Sequence, residues 1–239
     1  MIFFVSGWCS VANKRVLIIS YSFSHQTRNL LNTMAAGMEE EGIDITWERI
    51  FTSEKLRFPI GTIYTTFVMM LQTFFRKRYP IKPLNDVVFQ KWDLIILAGP
   101  TWSYNPSGPV LSLLDTKGHK VFQGQTVLPL ISCRGYWRMH FWGLRSLLKK
   151  CGTQDVLSPI VFSHPTPEPW RTIGVFLKLA GRTPEAGTSW FKRVYPKYGH
   201  SRKQVAKAGI LGKQLGHDIQ SGMELTGLTF ETPVRTDIM

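Results

Sequence analysis

Residues 15–27 read RVLIISYSFSHQT. Arg15 to Tyr21 is a short β-branched apolar run, and its change into Ser22-Phe23-Ser24-His25-Gln26-Thr27 marks the end of a buried strand. From Thr27 to Gly42, Leu30, Leu31, Met34, Ala35 and Met38 recur at helical spacing, and Gly42 is a natural stop. A continuous apolar strand leading directly into a helix is the pattern of a parallel sheet covered on both faces. The same rhythm continues outward. Ile43 to Ile50 alternates as a half-exposed strand would, and Asp93 to Gly99, Gln125 to Ser132 and Val156 to Phe162 are further apolar strands. Helical patterns at Val110 to Asp115 and Phe141 to Lys150 separate the last three. The fold class expected is α/β, a doubly wound parallel sheet of five strands. Right-handed crossovers then bring every strand's C-terminal end to one edge.

Two stretches break the rhythm and read as insertions, at about 51–90 and 163–196. In the first, Ile63, Tyr64, Phe67, Val68, Met70, Leu71, Phe74 and Phe75 form a broad helical stripe ended by Arg76-Lys77-Arg78 and Pro80. This predicts a helix over 59–78 whose apolar face is not fully buried in the core and covers the edge of a bound ligand, a membrane surface or a second subunit. The second holds Pro165, Pro167, Pro169 and Pro184 around Trp170, Phe176 and Leu177, and reads as a loop excursion with one short helix. Ser201 to Ser221 is a closing helix with Val205, Ala208, Ile210, Leu211 and Leu215 inward. The organisation expected is one domain over 1–222 and a tail over 223–239.

Composition bounds the function. The chain has 239 residues, 44% of them hydrophobic, too many for disorder. It lacks the run of about 18 apolar residues that a spanning helix needs. Cys9, Cys133 and Cys151 have no disulfide or metal spacing, so no metal site is expected. Met1 to Ala12 is apolar without a basic leader, and a cytoplasmic setting is the default expectation. The net charge of +13 favours anionic partners. Lys and Arg concentrate at 117–150 and 192–213, where no recognisable nucleic-acid module accompanies them, so nucleic acid is not the expected partner.

In an open parallel sheet, ligands bind outside the strand C-termini where strand order reverses. Three loops therefore matter. Ser22 to Thr27 offers hydroxyls and free N–H groups at a helix start, suited to a phosphate monoester; the plainer reading is a serine that caps the helix. Pro100-Thr101-Trp102-Ser103-Tyr104-Asn105 is stiffened by neighbouring glycine and proline and can wall a flat ring; the plainer reading is aromatics packed beneath a loop. Cys133-Arg134-Gly135-Tyr136 follows the next strand.

The loops together resemble those of the flavodoxin-like FMN-binding family. Ser22-x-Ser24-x-x-Thr27 is similar to its phosphate loop, with His25 where that pattern has glycine. Pro100-Thr101-x-x-x-Asn105-x-Ser107-Gly108 resembles the ring loop of the NAD(P)H:quinone oxidoreductase branch. The insertions also resemble a flavodoxin-like subset labelled dialkylresorcinol condensing enzymes, although nothing here is similar to a ketosynthase Cys-His-His arrangement. The resemblance implies strand order 2-1-3-4-5 with FMN at the switch point. It implies that Ser22, Ser24, His25, Gln26 and Thr27 hold phosphate and that Pro100, Thr101, Trp102, Ser103, Tyr104 and Asn105 line the ring. Cys133, Arg134, Gly135 and Tyr136 would stand opposite.

The function expected is that of an FMN-dependent oxidoreductase or electron carrier, with NAD(P)H as donor and a small molecule or redox protein as acceptor. Two alternatives compete with it. One is a flavodoxin-fold binding protein without flavin. The other is a peripheral membrane protein anchored through 59–78. A homo-oligomer is a further expectation from the same stripe.

Overall fold

The computed structural model describes residues 13–182, 189–195 and 199–227. Met1 to Ala12, and all but the first residues of the 223–239 tail, lie outside them.

The strands are β1 (Arg15–Ser20), β2 (Asp44–Arg49), β3 (Leu94–Trp102), β4 (Asn105–Pro106), β5 (Thr126–Cys133), β6 (Asp155–Val156) and β7 (Ile160–Ser163). β2, β1, β3 and β5 are neighbours in that order and all parallel, and β6 and β7 both pair with β5 in parallel. The expected order 2-1-3-4-5 is therefore present, with its fifth position filled by two short strands. The reason for the division lies in the register. Val127 faces Val156 but Leu130 faces Ile160, so the outer strand carries one extra residue. Pro129 and Pro159 flank that point, and neither has an N–H to donate, so the ladder breaks and bulges there. β4 is an antiparallel stub folded back on the end of β3.

Alternation along the strands builds two core layers. Val16 and Ile18 pack with Leu30, Leu31 and Met34 of α1 (Gln26–Glu40) and Leu211 and Leu215 of α8 (Arg202–Gln220). Leu17 and Ile19 pack on the opposite face with α3 (Gly108–Thr116), α4 (Gly118–Phe122) and α5 (Trp137–Lys150). Fully burying each of these Leu or Ile side chains contributes roughly 1.5–3 kcal/mol. Ile210, expected inward, is 69% exposed. It lies on the outer face of α8, whose inner face is set by Ala208, Leu211, Leu215 and Ile219.

The insertions differ from expectation in length and content. α2 covers Ile63–Phe74, shorter than 59–78. A capping box starts it: Thr62 accepts from the Thr65 N–H, and Thr65 Oγ1 accepts from the Thr62 N–H. Just beyond its end, Arg76 turns to φ +58. The second insertion carries two helices, α6 (Trp170–Leu179) and α7 (Ser189–Val194), where one was expected.

Candidate functional site

The three loops gather at the C-terminal edge of the sheet, after β1, β3 and β5, and border one cleft of about 130 Å³. Ser24, Gln26, Pro100, Thr101, Trp102, Ser103, Cys133 and Arg134 line it. Ser22, His25, Thr27, Tyr104, Asn105, Gly135 and Tyr136 belong to the same loops but not to the cleft wall.

The first loop has the features of an anion cradle. His25 precedes α1 at φ +62, in the left-handed region glycine favours, and its side chain faces solvent. The loop thus keeps a glycine-like backbone despite the substitution. No side chain caps α1, so the plainer reading of a capping serine does not hold. The first turn carries no acidic residue to compete for the positive helix end. Ser22 Oγ is buried without a hydrogen-bond partner, a condition native sites rarely leave unexplained. Gln26 turns elsewhere: its Oε1 accepts from the His200 N–H at 3.2 Å.

The second loop is a tight hairpin. Ser103 and Tyr104 have φ +42 and +72, the two positive values a type I′ turn demands. Its polar side chains are largely committed to α2. Ser103 Oγ donates to the Met70 carbonyl at 3.0 Å and lies 2.8 Å from Thr73 Oγ1. Asn105 Nδ2 donates to the Thr73, Phe74 and Ser103 carbonyls. Trp102 reaches the cleft but also packs edge-on against Tyr21, Phe23 and Tyr79. Tyr104 is half exposed and meets Tyr136 edge-on at 5.0 Å. Thr101 remains a wall residue, its Oγ1 2.7 Å from His140 Nδ1. Burial drives that imidazole down to about 3, so it is uncharged at neutral pH.

At the third loop, burial raises the Cys133 thiol above its ordinary pKa, keeping it protonated beside Ser163 Oγ at 3.5 Å. Gly135 has φ +155 and presses against the Arg171 guanidinium, where a Cβ would sit 3.0 Å from Nη2. Tyr136, at φ +55, starts α5 and is mostly exposed.

Sequence reasoning missed the rest of the wall. His164 and His200 enter from beyond β7 and before α8, and Ser132 Oγ lies 2.8 Å from His200 Nε2. Burial lowers both imidazoles to about 4. His200, Arg171 and Arg134 push His164 further down. The N–H groups of Thr166 and Gly199 point at its two ring nitrogens, each at 3.2 Å. A neutral ring has one bare nitrogen to accept with, and a protonated ring has none. Both insertions close over the cleft, the first through Ile60, Met69, Met70 and Thr73 and the second through Val175 and Leu179.

The basic stretches are dispersed. Arg134 lines the cleft, whereas Lys149 and Lys150 sit on the last turn of α5, and Lys213 pairs with Glu40 and Glu41 beyond the far end of α1. Among the described residues, these lysines lie away from the cleft wall. Among the described residues no cluster of three or more His, Cys, Asp or Glu is placed to hold a metal ion.

No protein-family model and no curated protein matches the sequence. Among solved structures, the chain is similar to a flavoprotein in complex with FMN from Lactobacillus acidophilus. That match has 22% identity and a TM-score of 0.47, and covers 63% of this chain and 93% of that one. A flavodoxin from the domain Archaea matches with 12% identity and a TM-score of 0.46 over 86% and 99% of the two chains. A putative flavoprotein from Bacteroides eggerthii matches with 15% identity and a TM-score of 0.48 over 71% and 99%. What decides the fold is the sheet itself: an open parallel sheet in the order β2-β1-β3-β5 with β6 and β7 outermost. By that order, the chain has the flavodoxin-like fold.

Proposed function

We propose that this chain is an FMN-binding redox protein, with the phosphate held by the loop 22–27 and the ring in the cleft between the second and third loops. The observation that carries the reading is the uncapped start of α1 beside the buried, partnerless Ser22 hydroxyl. That donor set suits a phosphate monoester. Bound FMN would supply the electron and hydride transfer chemistry. The chain's own residues do the remainder. Arg134 would place positive charge at the wall beside the bound ring. The uncharged His164 and His200 line the wall without adding charge, and Ser132 orients His200 through their 2.8 Å contact. The roof of α2 and α6 excludes water. NAD(P)H is the donor class proposed, and a small molecule or a redox protein the acceptor.

The test is a titration of FMN fluorescence with purified protein, followed by anaerobic addition of NADPH. Quenching that saturates at one FMN per chain, and bleaching of the bound flavin, are expected. Ser24→Asp places a negative charge against the phosphate and should weaken binding at least tenfold. Absence of quenching in the wild type overturns the reading in favour of a flavin-free binding protein. Unchanged affinity in Ser24→Asp removes the phosphate-loop assignment.

A further inference from the structure

Helix α2 is turned inside out relative to an ordinary surface helix. Its buried residues are Thr66 and Thr73, whose hydroxyls donate to the Thr62 and Met70 carbonyls of the same segment. Its outward face carries Ile63, Tyr64, Phe67, Leu71, Phe74 and Phe75, each between 49% and 75% exposed. A helix on a globular surface normally buries such a stripe. An exposed apolar patch of this size marks an interaction site.

The surroundings say which kind. Residues 58–75 contain no charged side chain, and cations bracket them: Lys55 and Arg57 before, Arg76, Lys77, Arg78 and Lys82 after, with Glu54 the one carboxylate in 51–85. Arg78 is engaged by Asp115 at 2.7 Å, while Lys55 and Arg57 face solvent. Exposed tryptophans lie on the elements that adjoin α2. Trp190 is 53% exposed and packs on Trp170 of α6, which adjoins α2 through the Ile60 N–H to Leu179 carbonyl bond. Trp142 is 66% exposed and neighbours Gly143, which the Arg76 guanidinium approaches. Tyrosine and tryptophan with flanking Lys and Arg are the side chains that settle at the polar boundary of a bilayer. A two-fold contact between copies would instead set these cations against themselves on a chain already at +13.

We propose that the outward face of α2 docks on an anionic lipid bilayer, with the helix lying in the interface and its inner face roofing the cleft. Among the described residues no helix is long and apolar enough to cross a membrane, so the contact is peripheral. Docking does not depend on the FMN reading, because none of the outward residues lines the cleft.

The experiment is co-sedimentation of the purified full chain with phosphatidylcholine vesicles, with and without phosphatidylglycerol. The chain should pellet with the anionic vesicles and partition at least tenfold less onto neutral ones. Phe67→Ser/Phe74→Ser should lower the anionic partition at least tenfold. Lys55→Gln/Arg57→Gln should lower it roughly fivefold per charge removed. Melting curves of these variants should match the wild type, because all four side chains are exposed. Failure to pellet, pelleting that the phenylalanine variant leaves unchanged, or a solution dimer that the same variant dissolves each overturns the proposal, the last assigning the face to a second copy. FMN titration of the same samples reads the cofactor proposal separately.

Discussion

His25 holds the left-handed backbone of the first loop at φ +62, which costs an L-residue roughly 1–2 kcal/mol relative to the right-handed region. Glycine is at home there but loses about 0.5–1 kcal/mol more in chain entropy on folding. His25→Gly should therefore stabilise the chain slightly, by about 0.5–1 kcal/mol, readable as a rise in the urea midpoint. FMN affinity should be unimpaired, because the imidazole faces solvent and the backbone does the holding. A variant that loses affinity while gaining stability would assign the imidazole a direct role at the phosphate. The same distinction between backbone and side chain applies at Asn105. Its amide is spent on α2 carbonyls, so it serves the roof rather than the ring.

The packing of α1 against α8 sets the scale of the helices. The two backbones approach so closely that a Cβ on Gly212 would lie 2.0 Å from the Met34 carbonyl oxygen, and one on Gly37 would lie 2.3 Å from that of Gly209. Helix propensity alone favours Gly→Ala by about 1 kcal/mol. Contact with backbone, which cannot swing away as a flexible side chain would, reverses the sign. Gly212→Ala should destabilise the chain by about 1–3 kcal/mol in chemical denaturation. A gain in stability would show that the helices separate readily, and that the face covering Val16 and Ile18 is looser than its burial indicates. The roof helix α2 follows a different logic, fastened through Ser103, Thr73 and Asn105 at one end and through Ile60 and Leu179 at the other.

Across the whole molecule, three buried imidazoles couple stability to pH. His140 titrates at about 3 and His164 and His200 at about 4 when folded, against an ordinary value near 6.5 in the open chain. The unfolded chain therefore binds more protons through this window. Stability is fully present above about pH 6.5 and falls as the pH drops toward 4, where the folded rings begin to charge. Each group removes on the order of 1–2 kcal/mol by about pH 5. Melting temperature should decline steadily over that range, and His140→Gln should flatten the decline in proportion. A melting temperature indifferent to pH between 7 and 4.5 would mean that these rings are solvated in the native state. The dispersed cations add little at short range, since pairs such as Lys213 with Glu40 are exposed and worth under about 1 kcal/mol.

The sequence by itself determined the sheet and the addresses of its loops. Apolar runs such as Arg15–Tyr21 must be buried on both faces, and that requirement leaves a doubly wound parallel sheet whose ends present Ser24, Thr101 and Arg134 together. It also determined that α2 is a helix. Which way α2 faces was open, because an apolar stripe of helical period is the same whether it points inward or outward. The tertiary structure decided it, since Thr66 and Thr73 can satisfy their hydroxyls on their own helix and leave the phenylalanines outside. The wall residues His164, His200, Val175 and Leu179 were likewise beyond reach of spacing arguments. They come from the segment after β7, from α6 and from the start of α8, which are brought to the cleft only when the chain returns across the sheet edge. Contacts between residues far apart in sequence, such as Ser132 with His200, exist only once the helices and strands have packed.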